Sequence, residues 1–214
     1  MASDTKIICF RHCSSKSIFC KNVPKICPIC QSCILDYDIE PFLVPYPYNN
    51  AKYEPNSIVI RPSEGTFLND YHIANDLHIG ITNSEGIVFE YDKQGLILND
   101  CAKWTNCIAL NIIPSSWESH WNETLKLILK DTKWKSENYD EMSMNCFNFV
   151  IEFINNLHYM NMNFLNKETM CGKLILPKLH DALKYNSLFK KLETTEFFIS
   201  LYTPNVYLII VINN

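Results

Sequence analysis

Six of the chain's ten cysteines fall within its first 33 residues: Cys9, Cys13, Cys20, Cys27, Cys30 and Cys33. A segment this rich in thiols and this poor in core-forming residues is stabilised either by cross-links or by a metal. A disulfide scaffold belongs with a secretory signal, and the opening Met-Ala-Ser-Asp-Thr-Lys-Ile-Ile-Cys has no apolar stretch of signal length. The longest apolar run, residues 206–212, is far short of the roughly 20 residues of a membrane helix. The expectation is an intracellular protein, cytoplasmic or nuclear, with no membrane span. There, clustered cysteines hold metal more often than they form disulfides.

Cys27-Pro28-Ile29-Cys30 has the spacing of a zinc knuckle, in which two sulfurs two residues apart reach one tetrahedral ion. A ribbon-like arrangement draws its other pair from around residues 9–13. The preferred set is His12, Cys13, Cys27 and Cys30, holding a structural zinc. Adjacent ligands are unusual, because neighbouring side chains diverge on an extended chain. Cys9, Cys13, Cys27 and Cys30 are therefore the alternative, and Cys20 and Cys33 stay open as contributors. Such a module buries little, so metal would supply most of its stability.

Three zones follow. Residues 1–36 are the cysteine-rich segment. Residues 37–57 carry Pro41, Pro45, Pro47 and Pro55 among aromatic and Asn residues and read as an extended strap or linker. Residues 58–214 read as one α+β domain, with 47% hydrophobic and 13% aromatic residues in the chain to fill a core. A formal net charge of −4 argues against a nucleic-acid binder. With five glycines and no GxGxxG or GxxxxGK run, dinucleotide-binding and P-loop enzymes are excluded as well.

Residues 57–61 form a β-branched strand closed by Pro62. Residues 77–82 and 87–91 form a hairpin around Asn83-Ser84-Glu85-Gly86. Residues 107–113 read as a further strand. Pro114-Ser115-Ser116 opens a helix capped by Ser115 or Ser116, with Trp117, Trp121, Leu125 and Ile128 at helical spacing. A second helix starts near Asn145, since Cys146, Phe149, Val150, Phe153, Ile154 and Leu157 trace one apolar face. A third, over 173–190, is interrupted near Pro177, and residues 205–212 read as a buried strand.

Two residues in this pattern carry chemistry. Cys146 stands at a helix N-terminus, where unsatisfied N–H groups and the macrodipole favour a thiolate. His78, on the hairpin strand, can accept the thiol proton. A third polar group would orient the imidazole. Glu90 and Tyr91 are the candidates on the partner strand, and the hairpin loop length decides between them. A two-residue turn puts Tyr91 on His78's face; a bulge or longer loop reverses the parity. Taken alone, a strand histidine is more often structural and a helix-face cysteine more often a small core residue.

The order of these motifs resembles the circularly permuted papain-like thiol hydrolases, including PPPDE-type isopeptidases and NlpC-like proteins. His78-Ile79-Gly80-Ile81 is similar to their His-x-Gly-Ile strand, and Asn145-Cys146-Phe147-Asn148-Phe149 to the Asn-Cys helix start of the PPPDE group. In related families a third polar residue lies about twelve positions after the strand histidine, which points here to Glu90. The resemblance implies a papain-like α+β domain preceded by a zinc knuckle, with catalytic Cys146, His78 and Glu90. The activity implied is isopeptidase-like or thioesterase-like, on a protein or acyl substrate; a catalytically inactive adaptor that binds a protein partner is the alternative. A resemblance covering more of the chain is to the makorin opposite-strand protein family. It is carried by Cys27-Pro28-Ile29-Cys30, Arg61-Pro62-Ser63-Glu64-Gly65-Thr66-Phe67, Asp76-Leu77-His78-Ile79-Gly80-Ile81-Thr82-Asn83 and Asn145-Cys146, and it also favours His12 and Cys13 as ligands. It implies no particular activity.

Overall fold

The computed structural model describes residues 6–99, 102–160 and 162–201. In chain order its strands begin with β1 (Ile8–Arg11), β2 (Ser17–Cys20), β3 (Ile39–Leu43), β4 (Ile58–Pro62) and β5 (Leu77–Thr82). They continue with β6 (Val88–Asp92), β7 (Gly95–Asn99) and β8 (Ile108–Leu110). The helices are α1 (Glu118–Ile128), α2 (Cys146–Leu157), α3 (Lys167–Met170) and α4 (Leu176–Thr194), and β9 (Phe197–Ser200) follows them. The fold is α+β, with two antiparallel sheets. Two compact units are built on Met1–Pro47 with Leu183–Asn214, and on Tyr48–Ala182. Among the described residues no helix is long and apolar enough to cross a membrane.

The first unit holds the sheet β3-β1-β2-β9. Its cysteine-rich stretch has a small core after all: Phe10, Ile18, Cys20 and Cys27 are buried together, with Ile8, Val23 and Tyr37 packed against them. The proline-rich stretch is not wholly extended strap. Residues 39–43 join the sheet as its edge strand, and Ala51–Tyr53 forms a 3-10 turn capped by Asn50. Pro41 is tolerated because β3 is an edge, and because the β1–β3 register slips by one residue beside it.

The second unit holds the sheet β7-β6-β5-β4-β8. Helix α2 packs across β5 and β6, and α1 packs on α2. The apolar stripe read from the sequence is the buried one: Phe149, Val150, Phe153, Ile154 and Leu157 are fully enclosed. Each such side chain contributes about 1.5–3 kcal/mol relative to exposure. Trp121 of α1 meets Phe153 edge-on at 4.6 Å. Its indole N–H donates to the Thr82 carbonyl at 2.8 Å, tying the helix layer to the end of β5.

Several boundaries differ from expectation. The serines after Pro114 do not cap α1. Ser115–Trp117 is a 3-10 turn, and α1 starts at Glu118 without a side-chain cap. The strand expected over 107–113 is limited to Ile108–Leu110. Pro177 does not interrupt its helix. Cys171–Ile175 adopts a wider π-helical turn just before α4, which accommodates a proline that cannot donate to the preceding turn. Strand β7 was not read from the sequence, although Asp92-Lys93-Gln94-Gly95 is a legible turn before Leu96, Ile97 and Leu98. The strand expected over 205–212 lies outside the described residues.

The β5–β6 connection matters most. The Asn83 N–H donates to the Ile87 carbonyl at 3.0 Å, closing a three-residue loop of Ser84, Glu85 and Gly86. The Asn83 side-chain oxygen accepts the N–H groups of Glu85 and Ile87 at 3.0 and 2.9 Å. Gly86 takes φ +76°, the left-handed conformation such a loop requires. The register is therefore Gly80 opposite Glu90 and Ile81 opposite Phe89. A Cβ on Gly86 would collide with the Lys52 carbonyl as well as strain the backbone. Gly86→Ala is expected to destabilise the protein by about 2 kcal/mol or more, read as a lower urea midpoint with an unchanged denaturant slope.

Candidate functional site

Among the described residues two clusters of chemistry-bearing side chains form, one in each unit. In the second unit, Gly80 faces Glu90 across the β5–β6 ladder. His78 lies two residues before Gly80, and side chains alternate along a strand, so His78 and Glu90 share a face. The His78 Nε2 lies 2.7 Å from Glu90 Oε2. Tyr91 points to the opposite face, where its hydroxyl donates to the Lys135 carbonyl at 3.0 Å and its ring packs on Trp134 and Tyr139. Of the two orienting candidates, Glu90 is the one that meets the imidazole.

Cys146 comes to the same place from α2. Asn145 caps this helix: its side-chain oxygen accepts the Phe147 N–H at 2.9 Å, and the Asn148 side chain accepts the Asn145 N–H at 3.0 Å. This is a reciprocal capping box. It fixes the helix start so that Cys146 is the first helical residue, and it leaves the Cys146 N–H outside the box. The Asn145 amide also donates to the Glu141 carbonyl at 2.7 Å, binding the cap to the preceding turn.

Cys146, His78 and Glu90 are buried, at 5%, 9% and 2% exposure. Burial is the largest influence on His78 and opposes its charge. The adjacent Cys146 sulfur and the Glu90 carboxylate outweigh it and raise the imidazole from 6.5 to about 9. With Nε2 on Glu90, Nδ1 is the second ring nitrogen. Two further residues complete the surroundings, and sequence reading assigned neither to the site. The fully buried Trp104 places its ring 5.9 Å from the imidazole. Arg61 stands opposite His78 in the β4–β5 register, with a guanidinium nitrogen 3.7 Å from Glu90 Oε2. The signal for Arg61 was available, as a charged residue inside an otherwise apolar strand.

In the first unit, His12, Cys13, Cys27 and Cys30 bring their ligand atoms within 4.8 Å of one another, an arrangement that can hold a metal ion. His12 and Cys13 lie in the bend that links β1 to β2, not on extended chain, so adjacent side chains converge. Cys27-Pro28-Ile29-Cys30 occupies a second tight turn, held by Cys27 N–H to the Ser32 carbonyl and Gln31 N–H to the Cys27 carbonyl, both at 2.9 Å. Within it the Ile29 N–H points at the Cys27 sulfur at 3.4 Å. The Ser32 backbone N–H is the main cause that lowers the Cys30 thiol to about 6. The alternatives do not join. Cys9 and Cys20 are buried in the strands, with their thiols pushed up to about 11 chiefly by burial. Cys33 pairs by backbone with Ile26, outside the cluster. Two other histidines have structural places: the His120 ring meets the Leu157 carbonyl, and His158 closes α2 at φ 51°.

Together, fold and site define an α+β protein with a His/Cys cluster of metal-ligand composition and a separate buried Cys–His–Glu constellation. Comparison with known proteins then places it. The DUF4796 C-terminal family matches residues 41–192, and the DUF4796 N-terminal family matches residues 5–34. The chain is 28% identical over 200 residues to the human MKRN2 opposite strand protein, covering 91% of this chain and 89% of that one. It belongs to the DUF4796 family, that of the makorin opposite-strand proteins. No solved structure matches it significantly.

The raised His78 has a consequence for stability. A group whose pKa is higher folded than unfolded stabilises the fold fully below its unfolded value, and that contribution is lost as pH rises through the folded value. For His78 the window runs from 6.5 to about 9. Wild type is expected to lose up to about 3 kcal/mol more than His78→Gln between pH 6 and pH 9.5, measured by urea unfolding of both proteins.

Proposed function

We propose that this protein is a cysteine-dependent acyl hydrolase, isopeptidase-like or thioesterase-like, on a permuted papain-like domain. The observation that carries this reading is an imidazole held between a helix-start thiol and a buried carboxylate, each supplied by a different element. Cys146 passes its proton to His78 Nδ1 and attacks the substrate carbonyl. Glu90, at Nε2, fixes the tautomer and supports the imidazolium. The Cys146 N–H, outside the capping box, faces the oxyanion. Collapse breaks the acyl bond and His78 returns the proton to the leaving group. Water, deprotonated by His78, then cleaves the thioester, releasing the acid and restoring the thiol.

The alternative is an inactive papain-like adaptor. What favours it is the low exposure of both Cys146 and His78, together with a groove of about 1020 Å³ in the first unit, lined by residues 21–28 and 192–197 and remote in sequence from the constellation. The two readings separate on the thiol. In the hydrolase, native protein is labelled by iodoacetamide at Cys146 at pH 7, and His78→Ala slows that labelling at least about tenfold. Labelling only after denaturation, or at a rate indifferent to His78, would falsify the hydrolase and leave the adaptor. Positive labelling leads to assays on isopeptide-linked and acyl-thioester substrates.

His12, Cys13, Cys27 and Cys30 are proposed as ligands of a structural zinc. The donor set suits zinc, which takes thiolate and imidazole in tetrahedral sites. Ligand distances of about 2.3 and 2.0–2.1 Å imply tetrahedral edges of about 3.8 Å between sulfurs and about 3.6 Å from sulfur to nitrogen. The Cys13–Cys27 sulfurs are 3.7 Å apart, and Cys30 Sγ lies 3.5 Å from His12 Nδ1. Purified protein is expected to carry one equivalent of zinc by elemental analysis. Cys30→Ala should lose it, and a chelator should unfold the first unit while Cys146 labelling persists.

A further inference from the structure

We propose that Arg61 is a positioning residue that shares the Glu90 carboxylate with His78 and so limits how firmly that carboxylate holds the imidazolium. The inference deepens the hydrolase reading and rests on it for its functional meaning. The geometry is one oxygen with two cationic neighbours: Glu90 Oε2 lies 2.7 Å from His78 Nε2 and 3.7 Å from Arg61 Nη2.

Arg61 is held in that place. Its Nη1 donates to the Pro62 carbonyl at 3.0 Å and the Ser63 carbonyl at 3.2 Å. Its guanidinium carbon lies 5.0 Å from the ring centroid of Trp104, the same indole that flanks His78. Arg61 Nε is buried with no hydrogen-bond partner among the described residues. The groups that face His78 are thus Glu90 from β6, Cys146 from α2, Arg61 across the ladder from β4, and the Trp104 ring, with Tyr139 near the Cys146 sulfur.

The chemical consequence has a sign. A carboxylate committed wholly to the imidazole would hold the His78 proton still more firmly and slow its return to a leaving group. By drawing part of the carboxylate's charge, and by repelling the imidazolium directly, Arg61 eases that return. Removing the guanidinium charge raises the His78 titration; keeping a charge there restores it.

The test is an NMR titration of the His78 imidazole, assigned by its loss in His78→Ala. Wild type is compared with Arg61→Gln, Arg61→Met and Arg61→Lys. Gln keeps a donor for the Pro62 carbonyl, and Met keeps an apolar stem over Trp104. In either, the His78 midpoint is expected to rise by about one pH unit; in Arg61→Lys it returns most of the way to the wild-type value. A midpoint that stays or falls in Arg61→Gln and Arg61→Met overturns the proposal. So does failure of both to fold, which would assign Arg61 to the scaffold. The readout needs no substrate. A shift seen in a protein with an inert Cys146 supports the Arg61 assignment while sinking the hydrolase. A reactive Cys146 with no shift does the reverse.

Discussion

The Asn83 side chain, by accepting two backbone N–H groups of its own hairpin loop, sets the length of that loop at three residues. Everything at the second unit's constellation follows from this. Three residues, with Gly86 in the left-handed conformation, place Gly80 opposite Glu90. A loop one residue shorter would bring Tyr91 to the His78 face and turn Glu90 away. The side-chain period of a strand is two, so there is no intermediate arrangement. One asparagine and one glycine thus decide which residue orients the imidazole.

The second constraint is the start of α2. Cys146 heads the apolar stripe of Phe149 and Phe153, buried at the first helical position beside His78, with its own N–H outside the capping box. Asn145 and Asn148 enforce that position by satisfying each other's backbone donors. The hairpin and the cap are local devices, and each is specified within a few residues. What they achieve together is not local, because the packing of α2 across β5 and β6 is required before thiol and imidazole meet.

The first unit shows the same division on a smaller scale. Two turns, one carrying His12 and Cys13 and the other Cys27 and Cys30, bring the four ligand candidates together. The cysteines that stay in the strands, Cys9 and Cys20, become small core residues whose thiols burial keeps protonated. Cys27 does both, buried against Phe10 and Ile18 while its sulfur joins the ligand cluster.

Much of this was legible beforehand. The α2 stripe, the β5–β6 hairpin, the Asn145 start and the Cys27–Cys30 knuckle spacing all rest on patterns a few residues long. So do Cys146, His78 and Glu90 as candidates, with the resemblance choosing Glu90 over Tyr91. Less legible were elements whose form depends on what they pack against: β3 in a proline-rich stretch, the π-helical turn before Pro177, and the 3-10 entry to α1. Arg61 is the clearest case. In the sequence it is one cation in a short apolar strand. Only the pairing of β4 with β5, and of β5 with β6, brings it to the oxygen that His78 also holds. The chain by itself determined the β5–β6 hairpin, the Asn145 helix start and the spacing of the candidate residues, because those depend on neighbours in sequence. The tertiary structure alone decided which charges share a carboxylate, because register and helix packing act between segments that the sequence keeps apart.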